Sequence, residues 1–332
     1  MSWADWLPLL FLGVMGLALL VYVVLDGYDL GVGLLLPAAS DVDKDTMIAS
    51  IGPFWDANET WLVLGVGVLL VAFPMAHSIV LQALYLPVAV MLIGLILRGV
   101  AFDFRVKSPP RYQPFWNRAF FAGSLLAASA QGWMLGHYVT GFEAGLLGHA
   151  FALGVALTLP AAYCLLGAGW LIMKCEGDLQ RRAVGWARRF LWPMALGLVA
   201  ISVATPLVSP TVVAKWFTLP NFFALLPVPL VSGLALLTVR WVSTHPALVE
   251  AGHGWLVFAA TVLVFVLAFF GLAYSIFPHI VIGRMTVWEA AIGTASLNFV
   301  FVGVALTLPV IIAYTFYMYR VFWGKARALT YG

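Results

Sequence analysis

The chain has 332 residues, of which 63% are hydrophobic and 9% charged, with 17 Lys and Arg against 14 Asp and Glu for a net charge of +3. A water-soluble globule is excluded, because so few polar residues could not cover its surface. Apolar runs of about 20 residues, each long enough to cross roughly 30 Å of hydrocarbon, recur along the sequence. The fold class expected is an all-α polytopic membrane protein.

About nine crossings are predicted, at residues 7–36, 53–73, 79–102, 115–137, 148–173, 190–206, 222–241, 255–277 and 295–322. They group into one integral membrane domain, 1–332, organised as a four-helix unit (1–140), a second four-helix unit (146–280) and a final peripheral helix (293–323). The first run is longer than a perpendicular span needs and is expected to tilt or protrude. No basic stretch precedes it, so it is expected to remain a span and not be cleaved. A short polar turn follows, and the second crossing is expected to open at Pro53, since a first helical position tolerates proline.

The basic residues set an orientation. With these crossings, 14 of the 17 fall on one face: Lys44, Arg105, Lys107, Arg111, Arg118, Lys174, Arg181, Arg182, Arg188, Arg189, Arg240, Arg320, Lys325 and Arg327. Lys215 and Arg284 lie on the other, and Arg98 lies inside the third crossing. The positive-inside rule makes the crowded face cytoplasmic, with the N-terminus periplasmic and the C-terminus cytoplasmic. Beside a membrane these charges anchor orientation and meet anionic lipid, so no nucleic-acid partner is expected.

Carboxylates interrupt the greasy sequence in two places. Asp26 and Asp29 stand in LDGYDLGVGLLLP, and Asp56 and Glu59 in PFWDANETW. An Asp at the centre of an inserted helix costs about 3 kcal/mol on insertion scales. Lipid packing gives no reason for such residues. Asp26 and Asp29 are three apart and share a helix face. Arg98 enters from the same side, and an ion pair between Asp29 and Arg98 joining the first and third crossings is one reading. Asp56 and Glu59 open the second crossing, where acids complement the positive helix end. The alternative is a proton relay, since partly desolvated acids spaced inward from one face can bind and release protons near neutral pH. Trp55, Asn58 and Trp61 flank these acids as candidate structural or interface residues. Gly27 and Gly31 form a small-xxx-small pair that lets another helix approach closely.

Other chemistry is thinly represented. Six histidines are scattered without tight ligand spacing or a complementing carboxylate, so no metal site is expected in this chain. Cys164 and Cys175 are about 16 Å apart along one helix, too far for a disulfide, and read as inert. The segment GVALTLP occurs twice, at 154–160 and 303–309, at the expected starts of the fifth and ninth crossings, which suggests a parallel repeat.

At this point the motifs resemble a family. DGYDLGVGLLLP at 26–37, PFWDANETW at 53–61 and LRGVAFDFR at 97–105 look like signatures of subunit II of cytochrome bd-type quinol oxidases. QGWMLG at 131–136, MTVWEAA at 285–291 and SLNFVFVGVALTLPVIIAYT at 296–315 extend the match over nearly the whole chain. Tyr28, where the family often has Phe, and Glu59, where it often has Gln, look closer to the cyanide-insensitive branch. The resemblance implies a terminal oxidase of the aerobic respiratory chain, in a bacterial inner membrane, that oxidises ubiquinol and reduces O2 to water. It implies an obligate partner, subunit I, holding two haems b, a haem d and the quinol site, so no catalytic residue is expected in this chain. The acids, Asp56 foremost, would contribute to a cytoplasmic proton-uptake path. The resemblance leaves open a small accessory subunit and a structural quinone in subunit II. The competing class is an ion-coupled secondary transporter, whose broken helices and inverted repeats would distinguish it.

Overall fold

The computed structural model describes residues 2–143 and 145–326. It is helical, apart from one small β-ribbon. Helix α1 (Trp3–Leu35) opens with the Ser2 amide donating to the Asp5 carboxylate at 2.7 Å. Its 33 residues extend about 50 Å, well beyond the hydrocarbon core. Helix α2 (Asp41–Ile51) occupies the stretch expected to be a short polar turn. Ser40 caps it by accepting from the Asp43 amide, and Asp41 and Asp43 occupy its positive end. Helix α3 (Trp55–Ala72) begins two residues later than expected, so Pro53 lies before the helix and not at its first position. Pro74 starts helix α4 (Pro74–Lys107), where its missing N–H costs nothing.

Helices α5 (Gln113–Val139), α6 (Leu146–Lys174) and α7 (Gly177–Val208) follow. Helix α7 is longer than the sixth predicted crossing because its first turns, bearing Arg181, Arg182, Arg188 and Arg189, are helical outside the apolar run. Two short helices, α8 (Pro210–Trp216) and α9 (Asn221–Leu225), lead into α10 (Pro227–Thr244). A further short helix, α11 (Pro246–Leu248), precedes α12 (Trp255–Ile276). Strands β1 (His279–Val281) and β2 (Met285–Thr286) pair antiparallel, and α13 (Val287–Ala290) leads to the last helix, α14 (Thr294–Val321). The ribbon was not anticipated, being only five residues of strand.

Eight helices among the described residues are long and apolar enough to cross a membrane: α1, α3, α4, α6, α7, α10 with α9, α12 and α14. The one predicted crossing not among these eight, the fourth at 115–137, is the continuous helix α5. It is less apolar because it carries small and polar residues, and it packs between α4 and α6. Helix α6 is central, lying against α1, α5, α7 and α12. Of α14 only Leu297 is buried within the chain. Where α1 crosses α6, a Cβ on Gly31 would overlap the Tyr163 carbonyl, and one on Gly167 would lie 2.6 Å from the Gly31 carbonyl carbon. This is the close approach expected of the small-residue pair.

The repeated GVALTLP lies inside helices α6 and α14, not at their starts. In both copies the threonine hydroxyl donates to the glycine carbonyl four residues back, at 2.8 Å for Thr158 and 2.9 Å for Thr307. Each of these helices runs on through its proline, Pro160 or Pro309. The two copies thus share the same local helix geometry. Alternation of the helices gathers most of the basic residues at one end, hereafter the basic end, while Lys215 and Arg284 lie toward the other; Arg327 lies outside the described residues.

Candidate functional site

Helices α1, α3 and α4 bring Asp26, Asp29, Glu59 and Arg98 together. Arg98 is 1% exposed and Asp26 and Asp29 are fully buried. The Arg98 guanidinium contacts Asp26 Oδ1 through Nη1 at 2.6 Å, and Glu59 Oε1 through Nη2. The sequence suggested an Asp29–Arg98 pair. The structure instead gives Arg98 to Asp26, one turn deeper, and to Glu59 across the α3–α4 boundary. The guanidinium also lies 6.0 Å from the Trp55 ring, within range of a cation–π contact.

Asp29 turns to another partner, Asn58, whose Nδ2 donates to Asp29 Oδ2 at 2.7 Å. The same amide nitrogen donates to the Tyr28 hydroxyl at 2.9 Å and makes a longer 3.4 Å contact to the Leu25 carbonyl. Tyr28 meets Tyr319 of α14 at 2.6 Å, and the Tyr319 hydroxyl donates to Asn58 Oδ1 at 3.2 Å. On the other side of Asp26, one turn back on α1, the Tyr22 hydroxyl accepts from Gln131 Nε2 at 2.8 Å. Tyr163 donates to Gln131 Oε1 at 2.6 Å. Tyr28 and Gln131 entered the sequence reading only within family motifs, and nothing there signalled their partners or a role for Tyr22, Tyr163 and Tyr319, because these contacts join different helices.

The remaining singled-out residues surround this cluster. Asp56 is exposed in the first turn of α3, one turn before Glu59, and is close to the basic end. Trp61 is buried against Ala18 and Tyr22. Trp55 packs on Phe102, with ring centroids 5.1 Å apart. Gly27 faces the Tyr163 ring. Glu59 is the member of the cluster that reaches a surface. Its side chain is 26% exposed and lines an open cavity of about 280 Å³ between α3 and α4, walled by Trp55, Leu62, Leu95, Ile96 and Gly99.

At the basic end the ion pairs are structural. Arg105 bonds Asp45 and Asn117 at 2.7 and 2.6 Å, and Arg182 reaches Asp43 at 2.5 Å, tying α2 to α4, α5 and α7. Lys44 beside Asp41 holds that carboxyl below its ordinary range. Burial pushes the Cys175 thiol up to about 12, so it is protonated at neutral pH. Among the described residues no three His, Cys, Asp or Glu side chains gather as metal ligands. His137 and His149 are neighbours, but their rings pack edge to face at 5.0 Å. Axial imidazoles stand on opposite faces of a macrocycle, so this pair does not fit a haem.

A helical membrane protein that encloses an arginine and three carboxylates has a membrane-embedded ionisable site, the kind of site where ion and proton pathways are found. The sequence comparisons narrow this class. The family model described as cytochrome bd terminal oxidase subunit II matches residues 7–322, and the chain belongs to that family. The cytochrome bd ubiquinol oxidase subunit 2 of Bacillus subtilis is 27% identical over 323 residues, covering 91% of each chain. The cytochrome bd-I ubiquinol oxidase subunit 2 of Escherichia coli is 30% identical over 183 residues, 52% of this chain and 48% of the relative. That match spans only about half of the relative's length. The solved structure of bd oxidase from Geobacillus thermodenitrificans has the same fold, with a TM-score of 0.77 at 16% identity, covering 96% of this chain and 98% of that one. Family membership over this length displaces the transporter alternative.

Proposed function

We propose that this chain serves as subunit II of a ubiquinol-oxidising, oxygen-reducing complex and carries protons toward its partner from the basic end. In such a complex the haems of subunit I supply electron transfer and oxygen reduction. The residues of this chain bind and pass the protons. The observation that carries the reading is Glu59: it is joined to the sealed Arg98–Asp26 pair, yet it opens sideways onto the α3–α4 cavity.

Asp56 is the entry group, exposed at the basic end and one helical turn from Glu59. Arg98 holds Asp26 and Glu59 in place, while Glu59 faces the surface where a partner would take up protons. A carboxylate opening onto apolar helices fits a protein partner better than lipid tails. The sparsely buried α14 extends the same kind of apolar surface. This supports subunit I docking along α3, α4 and α14 of a chain built as two four-helix units and a final helix. Tyr28 and Glu59, both in the buried network, support the cyanide-insensitive branch.

In the purified two-subunit complex, Asp56→Asn and Glu59→Gln are each expected to slow quinol-driven oxygen consumption about tenfold, a barrier increase of about 1.4 kcal/mol. The haem absorption spectrum should stay intact. Loss of haem in these variants would assign the acids to assembly, and unchanged turnover would remove them from the path.

The basic end is cytoplasmic in this reading, in a bacterial inner membrane. Both native cysteines are buried, so single introduced cysteines report cleanly. An impermeant thiol reagent on intact spheroplasts should label Glu143→Cys and not Arg188→Cys. The opposite pattern inverts the topology.

A further inference from the structure

We infer that Asp29 is the proton-holding member of the buried cluster, protonated at Oδ1, and that Tyr28, Asn58 and Tyr319 form a closed hydrogen-bonded ring that fixes its other oxygen as an acceptor. This deepens the proposed proton path, but rests on geometry that can be tested without turnover.

Charge counting comes first. Asp29 faces Asp26 on its own helix, Glu59 on α3, the Arg98 cation on α4 and the Tyr319 hydroxyl on α14. One guanidinium thus stands among three carboxyls. It contacts Asp26 and Glu59 directly, leaving Asp29 fully buried with one neutral donor, Asn58. A second net negative charge sealed in low dielectric is far costlier than a proton taken up, and the carboxyl that the cation does not contact directly is the one that takes it.

Donor arithmetic then identifies the atom. The Asn58 amide has two hydrogens, used toward Asp29 Oδ2 and Tyr28, so the Tyr28 oxygen is an acceptor there. The single Tyr28 hydrogen therefore goes to Tyr319, and the Tyr319 hydrogen goes to Asn58 Oδ1, which closes the ring. The amide is oriented with its nitrogen toward Asp29 Oδ2 and its oxygen toward the Tyr319 hydroxyl. Every donor in the ring is used, and none points at Asp29 Oδ1, which has no hydrogen-bond partner among the described residues. The ring includes an amide, which does not relay protons, so it orients Asp29 and is not a second wire. Tyr319 is a positioning residue: through it the otherwise peripheral α14 acts on the acid cluster.

The test is infrared difference spectroscopy of the purified two-subunit complex across a pH titration, in H2O and D2O. A deuterium-sensitive protonated-carboxyl band is expected at neutral pH, absent from Asp29→Asn. In Tyr319→Phe, checked for full haem content, the band should shift in frequency and its titration midpoint should move by about one pH unit or more. Absence of an Asp29-dependent band at neutral pH overturns the protonation. A Tyr319→Phe band and titration identical to the parent overturn the positioning role. Because neither readout depends on oxygen consumption, failure of the inference is distinguishable from failure of the Asp56–Glu59 path.

Discussion

Arg98→Gln is expected to destabilise the chain by about 3–5 kcal/mol, the cost typical of removing one partner from a buried ion pair. The guanidinium is 1% exposed and serves Asp26 at 2.6 Å and Glu59 together, so its loss strands two carboxylates inside the bundle. Glutamine can donate to one of them at most and carries no charge. The measurement is thermal denaturation of the detergent-solubilised complex, followed by its haem absorption. The triple variant Arg98→Gln, Asp26→Asn, Glu59→Gln should recover much of the loss, because neither carboxylate is then left buried without its cation. A single variant as stable as the parent would contradict the ion-pair network described above.

The second large effect lies at the α1–α6 crossing. A methyl group on Gly31 meets the Tyr163 carbonyl, which is helix backbone and cannot rotate away. Gly31→Ala is therefore expected to force the helices apart and cost about 1–3 kcal/mol or more, as overpacking does. Separation would also break the Tyr28–Trp170 ring stack, whose centroids lie 4.1 Å apart. At Gly27 the nearest atom is Cε1 of the Tyr163 ring at 2.7 Å, a side chain that can swing, so Gly27→Ala should cost less. Gly154→Ala meets nothing within 4 Å and should stay within about 0.5 kcal/mol of the parent. Melting temperatures of the three variants in the complex test the order, and a Gly27 variant less stable than the Gly31 variant would refute it.

Much of the fold was legible because hydrocarbon imposes a length and an apolarity that few soluble sequences share. Asp26, Asp29, Glu59 and Arg98 stood out for the same reason, since a charge in such surroundings is conspicuous. Their pairing was not legible. Helical spacing relates residues within α1, but whether Arg98 meets Asp26 or Asp29 depends on a rotation of α4 about its axis that no local pattern encodes. Asn58, noted only as a flanking residue, turned out to bridge Asp29 to two tyrosines. Tyr319 was invisible as a partner because 291 residues separate it from Tyr28. Helix α2 was missed because its amphipathic signal is nearly absent, and its order comes from Ser40 capping and from salt bridges to other helices.

Beyond the basic end, the β1–β2 ribbon and its neighbours join several helices. Ile280 accepts from Tyr138 of α5, Ile292 donates to Ala72 of α3, and Trp288 donates to Asp5 of α1. At the basic end Lys174 and Lys325 clasp the end of α14 to the end of α6. With both rims tied, the acid cluster meets its surroundings sideways, through the α3–α4 seam that Glu59 lines just inside the basic end. A neighbour lying in the membrane plane against that seam would therefore cover the cluster's opening without touching the loops at either end.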